Sequence, residues 1–371
     1  MDSKWWNLRK KCKMKYNRIC IQRSEQGEGG RGRHMERTVL KQVVLEAIIR
    51  LRNERTDRSL YHIFQGKRSA TSLQDAHFYE LESVFGMLPF KKERFEQVLA
   101  ELEQDGWIEK QQTLLVTEEG RRHVRSPFLI DDLGGELRGY PVVLWRRISL
   151  LLQTVICLEQ KISFVPVQQD SATKDWVRHQ LSSLTERSAW LRAVYQELEQ
   201  ALMQLTEREA ILISYRLSGR KTGLSYPQLS GYLEADTGSL QLEFLIAWRK
   251  CIRHLPEAGL LMSYGIDIDQ SKMTQSAKKT WEMLKQGYAV PQIAERRHLK
   301  KSTMEDHLVE IAMYAAVFPL NQFLSEEEYQ DVVRVSDRLQ TFSLKRIKQE
   351  LTHEIDYFQI RVALARKVVN R

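Results

Sequence analysis

Apolar residues recur at helical spacing along most of this chain, and the strict alternation of a half-buried strand is rare. Val39, Leu40, Val43, Leu45, Ala47, Ile48 and Leu51 predict a helix within 36–53. Shorter periodic stretches predict helices over 59–65, ending at Gly66, and over 72–85. Phe95, Val98, Leu99 and Leu102 share one face of a helix over 91–104, which Asp105-Gly106 terminates. Trp107-Ile108-Glu109, a polar turn and Leu114-Leu115-Val116 then predict a short hairpin.

The order of helix, hairpin and "LLVTEEG" over 36–125 resembles the recognition helix and wing of winged-helix domains. Inside it, Gly66-Lys67-Arg68-Ser69-Ala70-Thr71-Ser72 joins a bare backbone, two adjacent cations and hydroxyls. Two readings stand: Lys67, Arg68 and Ser69 contact phosphate, or the loop is a solvated turn with an N-cap.

The middle, 128–270, also reads as helical. Val177, Leu181, Leu184, Ser188, Leu191, Tyr195, Leu198, Leu202 and Leu205 alternate spacings of four and three. That pattern gives a seam for a homodimer through 177–205, or a long helix packed within its own domain. Thr206 and Glu209 form a capping box, and Ser225 caps a helix over 226–233. With a further helix over 240–254, residues 205–254 predict a second trihelical unit, similar in order to sigma-factor-type helix-turn-helix units.

Residues 276–308 read SAKKTWEMLKQGYAVPQIAERRHLKKSTMEDHL. A helix over 277–286 ends at Gly287, and Pro291 opens a second over 291–297. Ile293, Ala294, Leu299, Met304 and Leu308 face inward across a short turn at His298-Leu299. Ser302 and Glu305 form a capping box for the third helix. This is a helix-turn-helix pattern, and it gathers Arg296, Arg297, Lys300, Lys301, Ser302 and Thr303 as candidate nucleic-acid-binding residues. Asp306 counts against base reading, because an exposed carboxylate there repels phosphate.

Composition changes this picture only a little. At 371 residues the chain holds two or three domains, and 42% apolar content lets it build real cores. The net charge of +9 is unevenly spread: residues 1–34 contribute +7 and the other 337 only +2. Global charge is therefore weak support for nucleic acid. The basic tail is a phosphate-touching arm, or the natural start is Met35 and the Gly/Glu/Arg run before it is a translated ribosome-binding site. The greasiest stretch, 140–167, is interrupted by Arg146, Arg147, Gln153, Glu159 and Lys161 and reads as a buried helix, not a membrane span. Cys12, Cys20, Cys157 and Cys251 form no C-x-x-C pair and no zinc-ligand spacing with His. A reducing cytoplasm, with no metal and no cofactor, fits this usage. No G-x-x-x-x-G-K-[ST] phosphate loop occurs, and Ser218-Gly219-Arg220-Lys221-Thr222 lacks its spacing and order. No nucleophile or carboxylate motif appears either, so the chain reads as a non-enzyme. His307 reads as a packed structural histidine.

"QGYAVPQIAERRHLKKSTMEDHL" resembles the helix-turn-helix at the C-terminus of RecQ-type helicases, with Arg297, Ser302, Thr303, His307 and Leu308 on its pattern. "IKQELTHEIDYFQIRVALA" (347–365) resembles the same tail, so the likeness covers about 272–366. Together with "YHIFQGKRSA" and "QDAHFY", the whole chain is similar to YpbB-like proteins of Bacillus-type bacteria, stand-alone proteins encoded beside a RecQ-type helicase. The expected architecture is mainly α: a basic tail over 1–34, a winged-helix-like domain over 35–127, a helical middle over 128–270 and a helix-turn-helix domain over 271–371. The resemblance implies a cytoplasmic DNA-binding accessory protein that works with a RecQ-type helicase in replication or repair. Two alternatives stay open: a sequence-specific transcription regulator, and a scaffold that docks the helicase without touching DNA.

Overall fold

Helix capping and buried polar pairs, as well as apolar stripes, set the elements of this chain. A computed structural model describes residues 38–87, 91–124, 130, 139–269 and 272–369. The basic tail, Met35, Cys12 and Cys20 lie outside the described residues. The architecture is mainly helical, with one two-stranded sheet among the described residues.

Helix α1 (Thr38–Arg50) is followed by α2 (Asp57–Gln65), whose start is capped by Thr56 and whose end is Gly66 in the left-handed region at φ 69°. Helix α3 (Ala70–Phe78) is capped by Ser69. The helix expected over 72–85 stops at Phe78, and Glu80 takes φ 54° before a 3-10 turn over 82–84. Seven of the nine α3 residues are buried. Such a helix has no solvent face, so its polar groups must find partners. Asp75 accepts from Arg55 at 2.8 Å; Arg55 opposes, but does not outweigh, the burial that raises the carboxyl above its ordinary range. Next come α4 (Lys92–Gln104) and strands β1 (Ile108–Lys110) and β2 (Leu114–Val116), antiparallel with Ile108 opposite Val116. Helix α5 (Glu118–His123) ends this segment. The exposed face of α4 carries Glu93, Glu96 and Glu103 against Lys92, which pairs with Glu96 at 3.1 Å, so it is net acidic.

The middle of the chain supplies α6 (Tyr140–Glu159), α7 (Ser171–Ser183), α8 (Arg187–Met203), α9 (Glu207–Arg216), α10 (Tyr226–Leu233), α11 (Thr237–Arg253) and α12 (Leu260–Ser263). Helix α6 is long and apolar enough to cross a bilayer, but two-thirds of that window is buried inside the protein (67%). Trp145 on α6 packs edge-on against Phe244 and Trp248 of α11, and Trp248 donates to the Pro141 carbonyl at 2.7 Å. The seam expected over 177–205 is not one helix. Leu184 and Glu186 leave helical geometry and divide it into α7 and α8. Val177, Leu191, Leu198 and Leu202 are buried within the monomer, so this stripe is core and not an open dimer face. The Thr206–Glu209 capping box forms in both directions. Helices α9, α10 and α11 enclose Ile211, Leu212, Leu229, Leu233 and Leu240, the trihelical unit that the pattern predicts.

The last third supplies α13 (Gln275–Lys285), α14 (Val290–Arg296), α15 (Lys301–Tyr314), α16 (Glu326–Leu339), α17 (Leu344–Glu350) and α18 (Tyr357–Val369). The described residues divide into two compact units, 38–42 with 139–269, and 43–87, 91–124 and 130 with 272–369. The segments expected as separate first and last domains thus share one unit. Glu54, 7% exposed at its side chain, accepts from Tyr79 Oη (2.7 Å), the Phe342 amide (3.0 Å) and the Thr341 hydroxyl. Phe78 stacks on Phe342, and Lys272 pairs with Glu82 at 2.6 Å. Glu82 also meets His77 at 3.0 Å; these two partners outweigh its burial and hold its carboxyl at about 2.

Candidate nucleic-acid interface

The helix-turn-helix is built from α13, α14 and α15. Thr274 caps α13, and Glu310 of α15 accepts from the Thr274 amide (2.5 Å) and hydroxyl (3.0 Å). Helix α14 starts with Pro291 in its first turn and buries Ile293. The turn closes through the Leu299 amide on the Ala294 carbonyl (2.9 Å), with His298 at φ 51°. A side chain at positive φ is disfavoured, so His298 holds a position where glycine fits best.

Helix α15 begins one residue before the expected box. Its N-cap is Lys300, which makes no side-chain capping bond, and Ser302 lies inside the first turn. The Ser302–Glu305 capping box is therefore absent, and Glu305 instead sits 3.8 Å from Lys301. The first-turn amides have no side-chain cap, and the residues around them are basic. Lys300, Lys301 and Ser302 are exposed and Thr303 is half-buried. The Lys301 side chain is 90% exposed, so its contact with Glu305 is weak and leaves it available to an anion.

The other candidates separate by direction. Arg296 is exposed at the end of α14, its guanidinium 4.4 Å from the Tyr288 ring centroid. Arg297 turns inward and donates to the Ser276 carbonyl and hydroxyl (both 2.9 Å) and to the Thr280 hydroxyl. Its donors hold α13 in place, so it is a structural residue and leaves the candidate surface. The Thr280 hydroxyl also lies 2.9 Å from His307 Nδ1. That hydroxyl accepts from Arg297 and is also placed to donate to the Ser276 carbonyl at 3.4 Å. Burial first, then the Arg297 charge, lowers the His307 pKa, opposed by Asp306. His307 is a packed histidine, as its sequence position suggests.

Lys67 and Arg68 are exposed, while Ser69 spends its hydroxyl on the Ser72 amide (3.2 Å) and hydroxyl (2.8 Å). The N-cap reading of this loop therefore holds for Ser69, and the two cations face solvent. Asp306 does not stand alone: Arg361 of α18 reaches it at 2.6 Å and donates to Gln74 of α3 at 2.6 Å. Sequence reasoning missed Arg361. Its signal was a lone charge inside "YFQIRVALA", a stretch otherwise built for burial, where an ion wants a partner.

In the trihelical unit the arrangement is opposite. Asp236 caps α11 with its own carboxylate, accepting from the Gly238 (3.0 Å) and Ser239 (3.1 Å) amides. Gly238, Ser239 and Leu240 are buried, as are 12 of the 17 residues of α11. The amides that open this helix are thus taken by the chain's own carboxylate.

Among the described residues no cluster of His, Cys, Asp and Glu is placed to hold a metal. Cys157 and Cys251 are buried thiols, and burial pushes Cys251 up to about 12.

A family described as a helix-turn-helix domain matches residues 276–364. Protein YpbB of Bacillus subtilis (strain 168) is 31% identical over 340 residues, covering 88% of this chain and 97% of that protein. No solved structure matches the chain significantly.

Proposed function

The chain belongs to the YpbB family, and we propose that it is a non-catalytic protein that holds nucleic acid by its backbone at the α14–α15 end. The observation that carries this reading is the exposed, uncapped, lysine-bearing first turn of α15 within a matched helix-turn-helix domain. Uncapped amides and adjacent cations both favour phosphate. Contact of this kind positions a duplex without reading its sequence.

The same reading makes it a cytoplasmic accessory protein acting beside a RecQ-type DNA helicase in replication or repair. The likeness of 272–366 to the C-terminal domain of those helicases supports this. A sequence-specific regulator is less well supported, because the stripe offered for dimerisation is core. Docking to protein suits other parts of the molecule, notably the acidic face of α4.

The test is a salt titration of duplex binding by the full chain. Lys300→Ala with Lys301→Ala should lower affinity alike for unrelated sequences and reduce the slope of log K against log salt by roughly 2. An unchanged slope removes α15 as the nucleic-acid site.

A further inference from the structure

Helices α3, α15 and α18 run in one direction through their unit, and their first turns finish at one end. Arg361, the fifth residue of α18, sets the register by bonding Gln74, the fifth residue of α3, and Asp306, the sixth of α15. Further along, His77 Nε2 lies 3.2 Å from the Ala365 carbonyl, and Arg366 donates to the Ala315 carbonyl at 2.9 Å. All these contacts advance together, as parallel helices require. With a rise of about 1.5 Å per residue, the starts of α3 and α18 lie near one level and that of α15 within roughly two turns of it.

Lys67-Arg68 immediately precedes the start of α3, and Lys300-Lys301 forms the start of α15, with all four side chains exposed. Packed helices have axes about 8–10 Å apart, so the two pairs stand on the order of 10–20 Å apart. One turn of duplex, about 34 Å long, spans that distance. The first pair is also held rigidly. Gly66 lies against Gly86, where an added Cβ would meet backbone at 2.8 Å, and the Lys67 amide is bonded to the His62 carbonyl at 3.0 Å. His62 is held below its ordinary pKa by burial first, then by the charges of Lys67 and Arg58. Of the acids nearby, Asp306 is answered by Arg361 at 2.6 Å, and Glu305 is half-buried 3.8 Å from Lys301. The surface ends at α18, where Asp356 caps the helix by accepting from the Gln359 amide.

We propose that Lys67-Arg68 and Lys300-Lys301 form one surface that grips the backbone of a single duplex, so that the N-terminal segment and the helix-turn-helix bind nucleic acid together. This rests on the reading of α15 as a nucleic-acid contact.

The experiment uses the full chain and a labelled duplex of about 20 base pairs, two helical turns, titrated across salt. Four further proteins join the wild type: Lys67→Ala/Arg68→Ala, Lys300→Ala/Lys301→Ala, the quadruple variant, and Lys67→Arg/Arg68→Lys. Each alanine pair should lower the salt slope by roughly 2 and the quadruple by roughly 4. The charge-preserving swap should keep the slope, and one duplex should bind per chain. If only Lys300→Ala/Lys301→Ala lowers the slope, the shared surface is refuted while the α15 reading stands. If neither pair lowers it, the α15 reading fails first. Two duplexes per chain, or loss of slope in the charge-preserving swap, also overturns the proposal.

Discussion

Helices α10 and α11 in one unit, and α14 and α15 in the other, are each a short helix, a tight turn and a longer helix. The local devices match. Both short helices carry proline in the first turn. Both turns place a side chain in the left-handed region, Glu234 at φ 52° and His298 at φ 51°. They differ in what happens to the start of the longer helix. Asp236 fills the amides of α11 with the chain's own carboxylate, and the first turn behind it is packed away. Lys300 leaves the amides of α15 without a side-chain cap, and Lys301 and Ser302 face water. The motif fixes the crossing of two helices. Burial and the charge of the cap decide whether that crossing can meet an anion.

Substitutions at matched places should break this pair apart. The largest effect is expected from Leu240→Ala, which opens a cavity under the first turn of α11 and should cost about 2–5 kcal/mol in denaturant unfolding. Lys301→Ala, on the exposed first turn of α15 and three positions nearer the helix start, should stay within about 0.5 kcal/mol. Equal losses would mean that both starts are core. Next is Arg297→Met, which strips three acceptors on α13 of a charged donor and should destabilise by about 1.5–3 kcal/mol. Normal stability with weakened DNA binding would instead make Arg297 a phosphate contact.

His307 should give a smaller, pH-dependent effect. Its folded pKa is lowered, by burial above all, so the folded state favours the neutral ring. This contribution is complete above the ordinary histidine range, near about 6.5, and is lost as pH falls below it toward the folded value. Thermal unfolding between pH 8 and 5.5 should show an acid loss that His307→Gln lacks. An identical pH profile would assign the loss to another group. Smallest are His298→Gly and Glu234→Gly, which relieve the same backbone and should each stabilise by about 0.5 kcal/mol. A gain at one turn and a loss at the other would show that the two turns are not equivalent.

Much of the fold could be read before the structure, because helix period, capping pairs and turn residues are local. Thr206 with Glu209 and Pro291 before Ile293 carry their geometry in their own neighbourhood. The errors came where a local pattern had a competitor. Ser302 and Glu305 have box spacing, yet helix α15 extends to Lys301 and takes Ser302 into its first turn. The four-three spacing over 177–205 runs through Leu184–Glu186, because spacing counts positions and not backbone direction. The least legible feature was the joining of 43–138 to 271–371. It rests on Glu54 with Phe342, and Gln74 with Arg361, pairs almost 290 residues apart that share no pattern. The candidate site was half legible for the same reason. The basic residues were visible, but which faced water and which, like Arg297, faced the core depended on packing.

Of these two helix starts, only the lysine-tipped one should meet nucleic acid. Lysine-reactivity footprinting of the full chain, with and without duplex DNA and read by mass spectrometry, tests it directly. Lys300 and Lys301 should be modified readily in the free protein and protected by duplex, with Lys221 and Lys250 beside the trihelical unit unchanged. Protection at Lys221 or Lys250 while Lys300 and Lys301 stay reactive would place the nucleic acid on the trihelical unit instead.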